Sequence, residues 1–322
     1  MTSLYVDRRG IELEVDGEAL VFRENGERIG TIPLAPISRV FLRGDVRLQS
    51  SLLGKLGERG IGVVVLSGRQ GKVSLLMARP HNDASRRIRQ YRLSLDEQFC
   101  LTMASEIVRN KLISGRNYLH SFLEENLEHR YEISLATRKM DAITNTIHDK
   151  NSIAEVRGAE GAGAAAYFQG IAAIAPPRLK FSQRNRRPPR DPLNALLSLG
   201  YTLLHSEAVL ALYAVGLDPY IGFLHHLEFG RESLACDIME PLRAEVDRFS
   251  LQAFRSDLLR IEDFTTTESG CMLGKNGRAK FYAQWDSFSE KLRKLLANSI
   301  DELVAKMAAN NAEESPSCVV GS

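Results

Sequence analysis

The spacing of hydrophobic residues changes once along the chain, near residue 85. Before that point apolar and polar positions alternate, as at Ile11, Leu13 and Val15, and this period of two is typical of strands with one buried face. After it, apolar residues recur every three or four positions, as at Ile88 and Tyr91, which is the period of an amphipathic helix. We therefore expect an α+β protein in which a small, mostly β N-terminal domain precedes a larger all-α domain.

Turn signals refine the first part. Asn25-Gly26 lies between two apolar runs and predicts a β-hairpin, because both residue types accept the positive φ angles of a tight turn. Residues 50 to 58 predict one short helix, and the runs 62 to 66 and 73 to 77 predict two further strands. This domain contains no convincing catalytic group.

The second part should consist of long helices, since no proline occurs between residues 80 and 176. The apolar period places helices at about 86 to 110, 111 to 130, 131 to 147, around Glu160, at 193 to 215 and at 276 to 308. The expected organisation is an N-terminal domain at 1 to 80, a linker and basic helix start at 81 to 92, a helical domain at 93 to 308 and a disordered polar tail at 309 to 322.

Composition limits the class of protein. With 322 residues, 44% of them hydrophobic and 25% charged, the chain resembles an ordinary soluble protein. No apolar run reaches the roughly 18 residues of a membrane span, and the first residues lack the apolar core of a signal peptide. Four cysteines without a C-x-x-C pair indicate neither a disulfide framework nor a thiolate zinc site. We expect a cytoplasmic protein with no membrane contact.

The distribution of charge along the chain is more informative about binding partners than the net charge of +2. Six basic side chains lie in one proline-containing segment with no acid among them. They are Arg178, Lys180, Arg184, Arg186, Arg187 and Arg190. A second basic cluster opens the helical part and includes Arg86 and Arg87. Clustered positive charge is typical of a surface that binds the phosphate backbone of DNA. A solvated basic loop is the alternative for either cluster taken alone.

Candidate metal ligands occur between residues 216 and 243. Ser233 predicts a helix N-cap, which puts Asp237 early in a helix and Glu240 one turn later on the same face. Pro241 should break that helix, because it cannot donate the hydrogen bond to the carbonyl of Asp237. His225 and His226 precede this helix, and the sequence alone does not separate them as ligands. The alternative is that the two acids only stabilise a helix start.

A third acid, Glu160, lies on the apolar stripe of a helix that a capping box at Ser152 and Glu155 should begin. A carboxylate on such a stripe needs a cation, either a metal ion or a basic side chain. Glycines at 158, 161 and 163 weaken this helix and suggest that something approaches its backbone closely.

Several blocks of sequence together resemble the CRISPR-associated integrase and nuclease subunit of the spacer-acquisition machinery. They are RGAEGAGAAAYF at 157 to 168, RNRRPPRDPLNALLSLGYTLL at 184 to 204, GLDPYIGFLH from 216, GRESLACDIMEPLR up to 243 and GKNGRAKFYAQW from 274. The resemblance implies that the metal ligands and catalytic residues are Glu160, His225 and Asp237, with Glu240 as an accessory acid. It also implies a homodimer formed through the N-terminal domain and a small CRISPR-associated partner subunit that bridges two dimers.

One imidazole with two or three carboxylates suits Mg²⁺ or Mn²⁺. Beside basic clusters, such a site predicts phosphodiester cleavage or transfer. The resemblance favours an integrase that inserts new spacers into a CRISPR array, in which the 3′-hydroxyls of prespacer DNA attack the repeat. The alternatives are a stand-alone metal-dependent nuclease that acts on branched DNA in repair and a DNA-binding scaffold without catalysis.

Overall fold

A computed structural model describes residues 2–67, 72–76, 84–124, 127–225 and 228–310. Eight strands and one helix make up the N-terminal part: β1 Thr2–Asp7, β2 Ile11–Asp16, β3 Ala19–Glu24, β4 Glu27–Pro33, β5 Ile37–Arg43, β6 Val46–Leu48, α1 Ser50–Glu58, β7 Gly62–Ser67 and β8 Lys72–Leu76. They form two four-stranded sheets, in the orders β4-β3-β2-β6 and β1-β5-β7-β8. Asn25 and Gly26 both have positive φ in the β3–β4 hairpin, as predicted.

The rest of the chain is mainly helical. Its elements are α2 Ala84–Leu93, α3 Glu97–His120, α4 Arg130–Asn145, α5 Ile153–Ile174, α6 Pro192–Ala214, α7 Ser233–Met239, α8 Arg243–Arg255, β9 Phe264–Thr267, β10 Gly270–Leu273 and α9 Lys275–Ala309. The fold class is therefore as predicted. The β9–β10 hairpin was not predicted, although its run of threonines before Gly270 is a usable strand and turn signal.

Helix boundaries follow capping side chains. Asp96 accepts a hydrogen bond from the Phe99 backbone N–H at 2.9 Å and begins α3, so the predicted break near residue 110 was wrong and the chain turns at residues 94 to 96 instead. Asp191 caps α6 in the same way, through the Asn194 N–H at 2.8 Å, with Pro192 as the first helical residue.

Helix α6 runs through the middle of the helical domain. By length and composition it is the one helix in the described ranges that could cross a membrane, but 72% of its apolar window is buried in the protein, as in a core helix. A Cβ at Gly200 would meet Val246 of α8 at 2.6 Å, so only glycine allows this close approach.

The two parts of the chain share a buried interface. One face of the β1-β5-β7-β8 sheet contributes Phe41, Val64 and Leu66 to the same core as the helices, while the other face packs in a separate core against the second sheet. The Tyr5 ring stacks between Phe41 and Tyr282 of α9, with centroids 4.7 and 4.6 Å away. Of the predicted linker and basic helix start at 81 to 92, residues 81–83 lie outside the described residues and the rest belongs to α2. Of the predicted tail at 309 to 322, residues 311–322 lie outside them, and α9 ends at Ala309.

Candidate metal centre

His225 is held by a buried carboxylate. It lies in the loop between α6 and α7, and its Nδ1 is 2.6 Å from Oδ1 of Asp237, a residue of α7 with no exposed surface. The same carboxylate accepts hydrogen bonds from the backbone N–H groups of Phe223 at 2.6 Å, Leu224 at 3.0 Å and His225 at 3.2 Å. Because a carboxylate only accepts, Nδ1 is the protonated ring nitrogen, and the lone pair of Nε2 is left for a ligand.

Two further residues shape the His225 loop. A Cβ on Gly222 would lie 2.7 Å from Asp237 Oδ2 and 2.8 Å from the Ser233 carbonyl carbon, so this position must be glycine. Gln90 of α2 is fully buried and fixes the start of the loop. Its Nε2 donates to the carbonyls of Asp218 and Ile221, and its Oε1 accepts from the Asp218 N–H, each at 2.8 Å. Sequence reasoning missed Gln90, because a glutamine on a basic helix carries no distinguishing pattern.

Glu160 and Glu240 meet at a single cation. Lys111 of α3 places its Nζ 2.5 Å from Oε1 of Glu160 and 2.6 Å from Oε2 of Glu240. Arg243 also donates to Glu240 through Nε at 2.8 Å. Burial by itself raises the pKa of Glu240, but Arg243 and Lys111 outweigh it and hold that pKa well below its usual range. Glu160 is partly rather than fully buried, and it has the cationic partner that its position on α5 predicted.

The turn after α7 connects these two groups. Helix α7 ends at Met239, and a 3-10 turn at Glu240–Leu242 contains Pro241, which confirms the predicted break. Asp237 and Glu240 are three residues apart, so they project from neighbouring positions of one helical face. The helix begins one residue earlier than predicted, with Glu232 rather than Ser233 as N-cap.

No group of three or more His, Cys, Asp or Glu side chains within the described ranges is arranged to hold a metal ion. The structure joins Glu160 with Glu240, and His225 with Asp237. The donor chemistry nevertheless fits a divalent cation, since two carboxylates from different elements already converge on one positive charge. His226 lies outside the described residues, so the choice between the two histidines stays a prediction.

A buried acid lies behind this centre. Asp247 of α8 accepts hydrogen bonds from the hydroxyls of Tyr167, at 2.8 Å, and Tyr201. Burial raises the pKa of Asp247 to about 6, although both hydrogen bonds and the nearby Arg243 and Arg184 oppose the shift. The Arg243 guanidinium lies 4.6 Å from the centroid of the Tyr201 ring, which connects this acid to Glu240.

The predicted DNA-binding residues separate into two groups. Arg184 is mostly buried, and it donates to Asn194 Oδ1 at 2.8 Å and Ser198 Oγ at 3.0 Å. Arg178 and Arg86 donate to backbone carbonyls, of Phe254 at 2.5 Å and Val215 at 2.8 Å. These three arginines therefore stabilise the fold. In the long basic segment, Arg178 is exposed but bonded to the fold, and the other exposed side chains are those of Lys180, Arg186, Arg187 and Arg190.

The remaining two expectations concern Arg87 and the glycines of α5. Arg87 is half-buried on α2. Gly163 packs against Leu112 so closely that a Cβ would overlap it, as predicted. A Cβ added at Gly158 or Gly161 would meet nothing within 4 Å, so the expectation was wrong for these two. The helix surface at Gly158 and Gly161 is therefore open.

Comparison with known proteins is consistent over nearly the whole chain. The family described as CRISPR associated protein Cas1 matches residues 4–287. A CRISPR-associated endonuclease Cas1 of Thermodesulfovibrio yellowstonii is 40% identical over 296 residues, which cover 91% of this chain and 93% of that protein. A second, from Thermus thermophilus, is 32% identical and covers 86% of this chain and 84% of that protein.

Solved structures agree in fold. A Cas1 protein of Thermotoga maritima superposes with a TM-score of 0.83 at 22% identity, covering 100% of this chain and 99% of that one. A casposase bound to its integration product gives a TM-score of 0.82 at 24% identity, covering 96% and 91%. At these identities the likeness concerns the fold alone.

Proposed function

The chain belongs to the Cas1 family of CRISPR-associated proteins, and from that premise we propose that it is a metal-dependent DNA integrase and endonuclease. Its relatives are named CRISPR-associated endonucleases, and the integration and cleavage of DNA in spacer acquisition follow from that membership. Dependence on Mg²⁺ or Mn²⁺ is the part of the proposal that rests on the side chains. The observation that carries it is the convergence of Glu160 and Glu240 on one cation position.

We assign the ligands from their hydrogen bonds. Glu160 and Glu240 supply carboxylate oxygens, and His225 supplies Nε2, because its Nδ1 is committed to Asp237. Both oxygens of Asp237 are already used by the loop backbone and the imidazole, which favours a positioning role for this acid. Glu240, expected as an accessory acid, is therefore the better candidate for direct contact, and Asp237 resembles the carboxylate that commonly orients a metal-binding histidine.

The residues around the site suit phosphodiester chemistry. A divalent cation held by Glu160, Glu240 and His225 would polarise a phosphate oxygen and lower the pKa of the attacking hydroxyl. Arg243 keeps Glu240 ionised and oriented, and Asp237 keeps the imidazole in one tautomer. The exposed side chains of Lys180, Arg186 and Arg187 can bind backbone phosphates without entering the site.

Partners follow from the family in the same way. A solved structure of a Cas6-RT-Cas1–Cas2 complex contains a chain of which 35% has this fold, with a TM-score of 0.79 at 23% identity. We propose that this protein likewise works with a small CRISPR-associated subunit, as a homodimer bridged to a second one, on double-stranded prespacer and repeat DNA. A cytoplasmic location stays a prediction.

Charge-neutral variants of the two carboxylates test the metal assignment. Glu160→Gln and Glu240→Gln should each abolish Mn²⁺ binding in calorimetry and reduce strand transfer into a supercoiled repeat plasmid by more than about 100-fold, the upper range for outer-shell changes. DNA binding should persist. Glu245→Gln is the matched control, because Glu245 of α8 pairs with an exposed lysine, Lys291 of α9.

Three results would point elsewhere. Unchanged Mn²⁺ affinity in both variants rejects the metal site and favours a DNA-binding scaffold. Cleavage of branched DNA without any preference for the repeat favours the stand-alone nuclease. Loss of Mn²⁺ binding in Asp237→Asn, with normal folding and normal binding in Glu240→Gln, would restore Asp237 as the ligand.

A further inference from the structure

The cation between the two proposed carboxylate ligands is a lysine of the chain itself. We propose that Lys111 is an internal placeholder for the metal ion: it holds Glu160 and Glu240 together in the metal-free protein, and a divalent cation must displace it to bind. This inference rests on the proposed metal dependence, and it concerns how the site is regulated rather than which reaction it performs.

Lys111 and a metal ion would compete for the same position between the two carboxylates. The Lys111 Nζ lies 2.5 Å from Glu160 and 2.6 Å from Glu240, on carboxylate oxygens contributed by α5 and by the turn after α7. A Mg²⁺ ion bound to the same two oxygens needs distances of about 2.0 to 2.1 Å, which places it where the ammonium now lies. Both cannot occupy that position, so one must leave.

Charge leads to the same conclusion. The two carboxylates carry two negative charges, and Lys111 with Arg243 carries two positive ones, so the cluster is neutral without any metal. A divalent cation that entered beside an unmoved ammonium would add two uncompensated positive charges in a largely buried site. Repulsion between like charges a few ångströms apart is strong where water is excluded.

Lys111 rather than Arg243 is the cation that can move. The Arg243 guanidinium is held twice, by Glu240 at 2.8 Å and by the face of Tyr201 at 4.6 Å. Within the described part of the chain, the hydrogen-bond partners of the Lys111 ammonium are the two carboxylates themselves. The flexible four-carbon stem of Lys111 can rotate the ammonium out of the centre. The side chain is already 15% exposed.

A placeholder has an effect opposite to that of an ordinary supporting residue. Outer-shell residues orient the ligands, and their removal weakens metal binding about 10- to 100-fold. Removal of a competing cation should instead strengthen it, while the metal-free protein loses the charge that held its carboxylates together. The sign of the change in Mn²⁺ affinity therefore decides between the two roles.

The test measures Mn²⁺ binding to chelator-treated, full-length protein by calorimetry. Lys111→Met and Lys111→Gln should bind Mn²⁺ about tenfold more tightly, or better, than the wild type. Their thermal midpoints in chelator should fall, and Mn²⁺ should raise them by more than it raises the wild type. Lys306→Met is the matched control, since Lys306 pairs with Glu106 on the surface of α3 and α9 and should leave affinity unchanged.

Each outcome has one meaning. Unchanged or weaker Mn²⁺ affinity in Lys111→Met and Lys111→Gln, while the wild type binds, overturns the placeholder role and leaves the proposed function intact. If neither wild type nor variants bind Mn²⁺, the metal site fails and this inference fails with it. Should the neutral variants not fold in chelator, Lys111→Arg decides: the retained charge should keep affinity at or below that of the wild type, and tighter binding contradicts the proposal.

Discussion

The two halves of the candidate centre are held by different forces. The His225 half depends on hydrogen bonds of fixed direction, from three backbone N–H groups and one imidazole to the buried Asp237. In the other half Glu160 and Glu240 come from separate elements and meet through the charges of Lys111 and Arg243. The imidazole is thus positioned in advance, whereas the carboxylates can exchange one cation for another.

The largest expected effect comes from breaking the fixed half. Asp237→Asn replaces an acceptor oxygen with an N–H₂ group that faces backbone donors, which leaves buried donors such as Leu224 N–H without a partner. We expect a loss of about 3 to 5 kcal/mol in the free energy of unfolding, measured by urea denaturation. Glu160→Gln should cost less than about 1 kcal/mol in the same measurement, because its side chain is partly solvated.

A second variant tests whether the loss of stability in Asp237→Asn comes from disruption of the His225 loop rather than from loss of the Asp237 charge. Gly222→Ala introduces a methyl group 2.7 Å from Asp237 Oδ2 without changing any charge, so it should destabilise the protein comparably. Equal stability losses in Asp237→Asn and Glu160→Gln would contradict the contrast between the two halves.

A smaller effect should follow from loosening the same loop at a distance. Gln90→Leu removes three hydrogen bonds to the backbone of Asp218 and Ile221, and we expect a loss of about 2 to 3 kcal/mol in stability. Strand transfer should fall about 10- to 100-fold as His225 loses its orientation. Gln98→Leu, at an exposed position of α3, is the control, and an equal loss of activity there would remove the positioning role from Gln90.

The last expected effect concerns pH, and it compares two buried acids, Asp247 and Glu240. Burial raises the pKa of Asp247 from 3.8 to about 6, so the folded state binds its proton more tightly than the unfolded chain does. Its contribution to stability is therefore full below about pH 4 and is lost as pH rises to about 6. A shift of this size corresponds to about 2 to 3 kcal/mol.

Glu240 should show the opposite slope. Its lowered pKa gives a stability contribution that is present above pH 4.5 and is lost as pH falls below that value. Urea denaturation between pH 3 and pH 8 checks both directions. The stability difference between wild type and Asp247→Asn should shrink as pH rises, while the difference from Glu240→Gln should grow. Parallel slopes would refute the assignment.

Much of the fold was predictable because its signals are local. Alternation, the Asn25-Gly26 turn and the bounds of α1 and α6 all follow from residues adjacent in sequence. The start of α3 was missed although Asp96 is a typical cap, because a smooth helical period on both sides concealed the break. The threonine-rich hairpin was missed because it interrupts a helical region.

The site was predictable to a different extent. His225 and Asp237 are twelve residues apart, so one short stretch brings them together. The meeting of Glu160 with Glu240 depends on how α5 packs beside the end of α7, and Lys111 looks like any helical surface lysine in the sequence. Likewise, nothing in a row of arginines distinguishes the buried Arg184 from its exposed neighbours.

Helix α6 connects distant parts of the molecule by its length. In its first turn, Asn194 accepts a hydrogen bond from Arg184. Its last turns reach the N-terminal sheet, where Leu210 packs against Gly62 and Glu207 pairs with Arg39. Since a helix rotates by about 100° per residue, a single insertion between these ends would turn one contact face away from its partner. An insertion or deletion in α6 is therefore expected to disturb both ends of the helix at once, whereas a substitution disturbs only the contacts of one position.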